Sequence, residues 1–170
     1  MVTLDDIRAA AAGLAGVARR TPTERSETFT RECGGEVWLK FENQQRTGSF
    51  KIRGAYTKIR SLSDAERAAG VVAPSAGNHA QAVAFAARSA GVGATVYMPE
   101  AASLAKIGAT QGYGATVRLV GDSVEESVAA AREAVESEGR TLVHPFDDEI
   151  VIAGQGTVAL ELLELSLIHI

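Results

Sequence analysis

The first hydrophobic positions recur at steps of three and four. Leu4, Ile7, Ala11, Leu14 and Ala18 therefore share one face of a predicted helix. Thr3 followed by Asp6 reads as a capping box with Asp in place of Glu. Pro22 disfavours helical geometry at Thr21 and is taken as the stop. From Glu36 to Glu42 the pattern changes to alternation. Val37, Leu39 and Phe41 fall on one side, against Glu36, Trp38, Lys40 and Glu42, which predicts a half-exposed strand. Thr47-Gly48-Ser49 then reads as a turn leading into a helix over about Phe50 to Arg60.

Beyond Gly70 short apolar runs alternate with longer helical patterns. The predicted strands are Val71–Pro74, Thr95–Met98, Thr116–Val120 and Thr141–Val143. Between them lie an Ala-rich helix ending near Ala90, a helix over Ser103–Ala109 and one over Ser123–Glu138. Gly70, Gly93, Gly114 and Gly139 each stand just before a strand and are read as left-handed helix ends. Strand–helix alternation implies an α/β protein with an open parallel sheet and helices on both faces. A helical pattern extends to Glu164, after which Leu165 to Ile170 form an apolar end with no cap.

Composition narrows the function classes. Of the 170 residues, 46% are hydrophobic and 22% charged, as in ordinary globular domains rather than disordered chains. Seventeen basic against 21 acidic residues leave a net charge of −4, so the basic footprint of a nucleic-acid binder is missing. No apolar run approaches the roughly 20 residues of a membrane span, and the start lacks the features of a signal peptide. Cys33 stands alone, which excludes a disulfide framework and a cysteine-based zinc site. The expectation is a soluble, cytoplasmic protein with no nucleic-acid or membrane partner.

Four segments offer chemistry. Lys51 falls in the first turn of a predicted helix, where the helix field disfavours a cation, between Phe50 and Ile52. A desolvated lysine there would have a lowered pKa and a nucleophilic amine, able to condense with a carbonyl compound; the competing reading is a solvated surface lysine. Ser75-Ala76-Gly77-Asn78-His79 joins a strand to a helix, the place where open α/β sheets bind ligands. Its backbone amides could hold a carboxylate or phosphate, with His79 contributing backbone rather than acid–base chemistry; the alternative is an ordinary N-cap at Ser75 or Asn78. Gly154-Gln155-Gly156-Thr157-Val158-Ala159 matches a dinucleotide fingerprint formally. No room remains for the βαβ unit, so it is read as a helix start with small residues for close packing. His144-Pro145-Phe146-Asp147-Asp148 lacks a second histidine at ligand spacing and is read as a strand-end turn, so no metal site is expected.

Together these segments resemble one family. Lys40-Phe-Glu-Asn-Gln-Gln-Arg-Thr-Gly-Ser-Phe-Lys51-Ile-Arg53-Gly-Ala55 resembles the cofactor-lysine motif of threonine dehydratases (threonine ammonia-lyases). Ser75 to Gln81 resembles their second signature, and His144–Asp148 and Ala153–Thr157 resemble two more, in the same order. The resemblance spans about Leu4 to Glu164. It implies the pyridoxal-phosphate fold of the tryptophan synthase β type and pyridoxal 5'-phosphate as cofactor. It further implies a large-domain portion at 1–52, a small αβ domain at 53–146 and a return to the large domain at 147–164.

By this match Lys51 binds the cofactor covalently and acts as the catalytic base. Phe50 packs on the cofactor ring and Asn78 bonds the ring hydroxyl, while Ser75, Gly77, Asn78 and His79 line the substrate-carboxylate site. The implied reaction converts L-threonine, or L-serine, to 2-oxobutanoate or pyruvate and ammonia, and the implied assembly of the full-length protein is a homo-oligomer. Related serine racemases carry a second serine where this chain has Ala76, which favours elimination over racemisation. The family's glycine-rich phosphate loop lies downstream of Gly154–Gly156. The chain is therefore expected to represent the N-terminal part of a catalytic domain, incomplete and inactive alone, with residues 165–170 not native to it.

Overall fold

The computed structural model describes residues 1–165. Apart from Leu165, the expectation for residues 165–170 lies outside the described residues. Helix α1 (Leu4–Gly13) begins at Thr3, with the Thr3–Asp6 capping box closed in both directions. It ends well before Pro22: Gly16, at φ 77°, turns the chain first, and the Arg60 guanidinium lies where a side chain at Gly13 would stand.

Strand β1 (Thr23–Arg25) pairs antiparallel with β2 (Trp38–Lys40), and helix α2 (Glu27–Cys33) links them. The predicted strand over 36–42 is thus shorter than expected, and β1 and α2 were not anticipated. α2 has no buried residue and β1 has only three residues, none fully buried, so neither prints a hydrophobic period on the sequence.

A single-turn 3-10 helix (Glu42–Gln44) leads to α3 (Lys51–Arg60). Then come α4 (Asp64–Ala69), β3 (Val71–Pro74), α5 (Asn78–Ala90), β4 (Ala94–Met98), α6 (Leu104–Gly112), β5 (Thr116–Leu119), α7 (Val124–Glu138), β6 (Thr141–Leu142) and α8 (Glu149–Leu163). α4 was also unforeseen, although Ser63 and Glu66 form a complete capping box at its start.

The four later strands make one parallel sheet in the order β5-β4-β3-β6. Side chains alternate across it. Val71, Ala73, Val96 and Met98 join the core shared with α3 and α5, whereas Val72 and Tyr97 meet Ala131 and Ala134 of α7 on the opposite face. Burial on both faces explains why β3 reads as an unbroken apolar run.

One glycine expectation shifts. The left-handed end of α5 is Gly91, at φ 67°, whereas Gly93 lies in the approach to β4 and its carbonyl accepts the Val71 amide at 2.9 Å. Gly70 needs its own hydrogen side chain, because a Cβ there would stand 2.8 Å from that carbonyl.

α3 is held between α5 and α8. Its contact with α8 is backbone-close: a Cβ on Gly154 would lie 2.7 Å from the Gly54 Cα and 2.6 Å from the Arg53 carbonyl oxygen. The Gly154–Gly156 segment is therefore helix interior rather than the helix start expected from the sequence, and its small residues serve close packing. Among the described residues no helix is long and apolar enough to cross a membrane.

Candidate active site

The strand order creates the site. The chain runs β3, β4, β5 toward one edge, and then α7 crosses the opposite face and delivers β6 beside β3. β3 and β6 thus flank the point where the winding reverses, and ligands of open α/β sheets bind beyond the carboxyl ends of such strands. Ser75–His79 follows β3 there, and Val143–Pro145 follows β6.

Lys51 enters from α3. Gly48, at φ 74°, makes the left-handed turn before the helix, with its amide on the Gln45 carbonyl at 2.8 Å. Gln45 is itself buried and pairs its amide group with both backbone polar groups of Arg19, each at 2.8 Å. Lys51 is the first residue of α3, and its Nζ donates to the Pro145 carbonyl at 2.7 Å. The same nitrogen lies 5.3 Å from the centre of the Phe50 ring, which is half exposed. Burial pulls the Lys51 pKa below the usual lysine value. Of the desolvated and solvated readings left open by the sequence, the half-buried Lys51 lies toward the first.

Two residues along α3, Arg53 is 1% exposed and clamps three segments. It donates to both Glu42 carboxylate oxygens (2.8 and 2.9 Å), to Glu161 (2.6 Å), to Thr157 (3.2 Å) and to the Arg19 carbonyl (3.2 Å). Lys40 completes the cluster on Glu161 at 2.5 Å. This clamp fixes the start of α3, and so the Lys51 backbone, against α8.

The second motif begins at the end of β3, where the Ser75 amide donates to Tyr97 of β4 at 3.0 Å. The Ser75 hydroxyl accepts the Gly77 amide at 3.2 Å. Neither Ser75 nor Asn78 caps α5. Gly77 is the N-cap, and no side chain bonds the amides of the first turn. Nothing lies within 4 Å of where a Gly77 Cβ would stand, and its φ of −141° does not demand glycine. Open space therefore faces the positive end of a 13-residue helix.

His79 is buried, with Nε2 at 2.8 Å from the Val143 carbonyl. A carbonyl only accepts, so Nε2 carries the hydrogen, and Nδ1 is left as a buried acceptor without a partner. Burial pushes the His79 pKa down to about 4, keeping the ring neutral at physiological pH.

The 144–148 segment is the strand-end turn anticipated from the sequence. His144 Nδ1 accepts the Asp147 amide at 2.8 Å, and Asp148 caps α8 through the Ile150 and Val151 amides while pairing with Lys58 at 2.7 Å. Among the described residues no group of three or more metal-ligating side chains is assembled.

The structure thus brings Lys51, Phe50, Ser75, Gly77, Asn78 and His79 to one end of the sheet. A well-formed recess lies elsewhere. It measures about 520 Å³, is lined by Gly13, Tyr56, Thr57, Arg60 and Ile150 among others, and opens at the far end of α3 from Lys51. Of the motif residues only Ala153 touches it, and Lys51 and the Ser75–His79 turn do not line it. Sequence reasoning passed over the carbonyls of Val143 and Pro145, which have no side-chain signature. It also passed over the burial of Arg53, for which the apolar pattern of α3 was the available signal.

The family model described as pyridoxal-phosphate dependent enzyme matches residues 14–167. The chain belongs to the pyridoxal-phosphate dependent enzyme family. It is 51% identical over 163 residues to the catabolic L-threonine dehydratase TdcB of Escherichia coli (strain K12), covering 96% of this chain and 50% of that protein. It is 52% identical over 164 residues to an L-threonine ammonia-lyase of Thermotoga maritima, covering 96% of this chain and 41% of the relative. The chain spans about half the length of the curated relatives it matches. Among solved structures, serine racemase from Dictyostelium discoideum superposes with a TM-score of 0.88 at 41% identity, over 96% of this chain and 53% of that one. Membership fits the fold of a parallel sheet flanked by helices.

Proposed function

We propose that this chain carries the lysine and the carboxylate-binding helix of a pyridoxal-phosphate-dependent L-threonine ammonia-lyase. In this reading Lys51 is the catalytic residue, Phe50 and Asn78 are cofactor contacts, and Ser75, Gly77, Asn78 and His79 form the substrate site. The carrying observation is the convergence of a desolvated Lys51 and the uncapped start of α5 on one sheet end. The residues fit the cofactor: the amine has no ion-pair partner among the described residues, and Gly77 has open space around it at the uncapped start of α5.

When bound, pyridoxal phosphate supplies an aldehyde for an amine and a sink for the charge left by a departing α-proton. The chain's own groups supply the rest. Burial shifts the Lys51 amine toward its neutral form, the form that acts as nucleophile and proton acceptor. Pro145 holds that amine at its carbonyl, and the Phe50 ring shields it. The amides of Asn78, His79 and Ala80 at the start of α5 suit the substrate carboxylate. Ala76 supplies no proton-transfer group, which favours elimination over the racemase reading that the structural likeness also supports. The same resemblance carries the division at 1–52, 53–146 and 147–164, a homo-oligomeric assembly and a cytoplasmic location; the parallel sheet lies wholly within 53–146.

The test is to mix the chain with pyridoxal phosphate, reduce with borohydride and map the modified lysine by peptide mass. Stoichiometric label on Lys51, lost in Lys51→Ala, is the expected result. Sparse label spread over surface lysines would overturn the assignment for this chain. In the full-length protein, 2-oxobutanoate from L-threonine supports the lyase, and D-serine from L-serine would establish the racemase instead.

A further inference from the structure

We propose that the His79 imidazole is a positioning residue, which sets the backbone segment whose Pro145 carbonyl holds the Lys51 amine. The inference rests on the proposed role of Lys51, but its geometry stands independently.

His79 lies at the start of α5, and the acceptor of its Nε2–H, Val143, lies just past β6, 64 residues away in sequence. Val143 is completely buried and pinned from both sides. Its amide donates to the Val72 carbonyl of β3 at 2.9 Å, and its carbonyl takes the His79 hydrogen at 2.8 Å. The orientation of that peptide directs the chain as it leaves the sheet. Pro145 follows closely, with its φ fixed by the ring and no amide of its own, and it restricts His144 to extended geometry. His144 Nδ1 then closes the turn on the Asp147 amide at 2.8 Å. Little conformational freedom remains between the carbonyl that His79 holds and the carbonyl that holds Lys51 at 2.7 Å.

A purely structural histidine would need no such connection. Packing alone is served by an apolar residue, as at the buried alanines and Val83 of the same helix. A buried imidazole with one nitrogen unpartnered is an expensive choice unless the bond from the other nitrogen is the point. An acid–base role is disfavoured because the Nε2 hydrogen is committed to a carbonyl and the ring stays neutral; Lys51 and His144, the charged or titratable groups nearest to it, both oppose its protonation.

The test needs no cofactor. Trace acetic anhydride labels lysines of the folded chain at a series of pH values, and peptide mass gives the Lys51 profile relative to exposed Lys106. His79→Leu removes the donor, and His79→Gln keeps a side-chain N–H of similar reach. In His79→Leu the freed amine gains solvent. Its labelling midpoint rises by about half a pH unit, a roughly threefold lower neutral fraction at fixed pH, with Lys106 unchanged. His79→Gln stays near wild type. A folded His79→Leu with the wild-type Lys51 profile overturns the proposal, as does a His79→Gln that behaves like His79→Leu. If His79→Leu does not fold, the imidazole nitrogen NMR of the wild type decides. A fixed Nε2–H tautomer supports the strut, and a ring averaging between tautomers refutes it. Failure of Lys51 to capture pyridoxal phosphate would remove the proposed function while leaving these outcomes readable.

Discussion

Replacing Arg53 by methionine tests the clamp that anchors α3. The aliphatic volume is largely kept, so the change isolates charge and hydrogen bonding. Arg53 is 1% exposed, and its guanidinium bonds Glu42 through both carboxylate oxygens, Glu161, Thr157 and the Arg19 carbonyl. Without it Lys40 still neutralises Glu161 at 2.5 Å, but Glu42 keeps only the Thr21 hydroxyl at 2.7 Å. Breaking a buried pair from one side costs about 3–5 kcal/mol. The Glu42 side chain is 12% exposed, which places the expectation near the lower end, about 3 kcal/mol. Glu42→Gln alone should cost about 1–2 kcal/mol, because Arg53 retains Glu161. The double variant leaves one cation and one anion, so its cost should fall short of the sum by at least about 1 kcal/mol. Urea unfolding followed by far-UV circular dichroism reads all three; with a slope of about 2 kcal/mol/M, Arg53→Met should lower the midpoint by about 1.5 M. Costs that add within about 0.5 kcal/mol would show that the charges do not act as one cluster and would refute the reasoning.

Gly77→Ala should leave the stability read by urea unfolding within about 1 kcal/mol of wild type, the cost of a poorer N-cap, yet reduce borohydride-trapped label on Lys51 at least about tenfold. Undiminished label would mean that the space before α5 is not the ligand's. His79 makes the fold acid-sensitive in a definite window. Its folded pKa is about 4 and its ordinary value 6.5, so below 6.5 the unfolded chain binds the proton first. Stability therefore falls by about 3 kcal/mol between pH 6.5 and 4 and is insensitive to this group below that. Urea midpoints at pH 7, 5.5 and 4 check it, and His79→Gln should flatten the profile over that range; equal slopes would dismiss His79 as the cause. Glu161 and Asp148 act lower on the scale. Burial works against their charge, but Arg53 with Lys40, and Lys58 with the α8 amides, hold their carboxyls below the ordinary range. Their contribution is present at neutral pH and lost as pH falls through those lowered values.

The elements most directly legible in the sequence are those that bury one or two whole faces. β3, α5, β4 and α7 came out close to their observed limits, because sheet and helix burial impose their periods on Val71–Pro74 or on the alanines of α5; α6 and β5, which bury little, were legible from the strand–helix alternation around them. β1 and α2 did not, since neither buries a complete face and the residues carry no period to read. Gly93 misled for a related reason: glycine marks both a left-handed cap and a close backbone approach, and only the Gly70–Gly93 contact tells them apart.

The candidate site divides along the same line. Its side chains were found because Lys51 and the Ser75–His79 turn have chemical types and positions that suggest chemistry. The atoms that aim them were not, because the carbonyls of Val143 and Pro145 belong to no side chain. Their placement depends on β6, a strand of two residues whose pairing with β3 at Val71–Thr141 and Val72–Leu142 no periodicity announces. That short pairing puts the 143–145 carbonyls across from α5 rather than at a distant sheet edge. Strand order, a property of the whole chain, therefore determines what Lys51 touches, while local sequence determines only that a lysine is there.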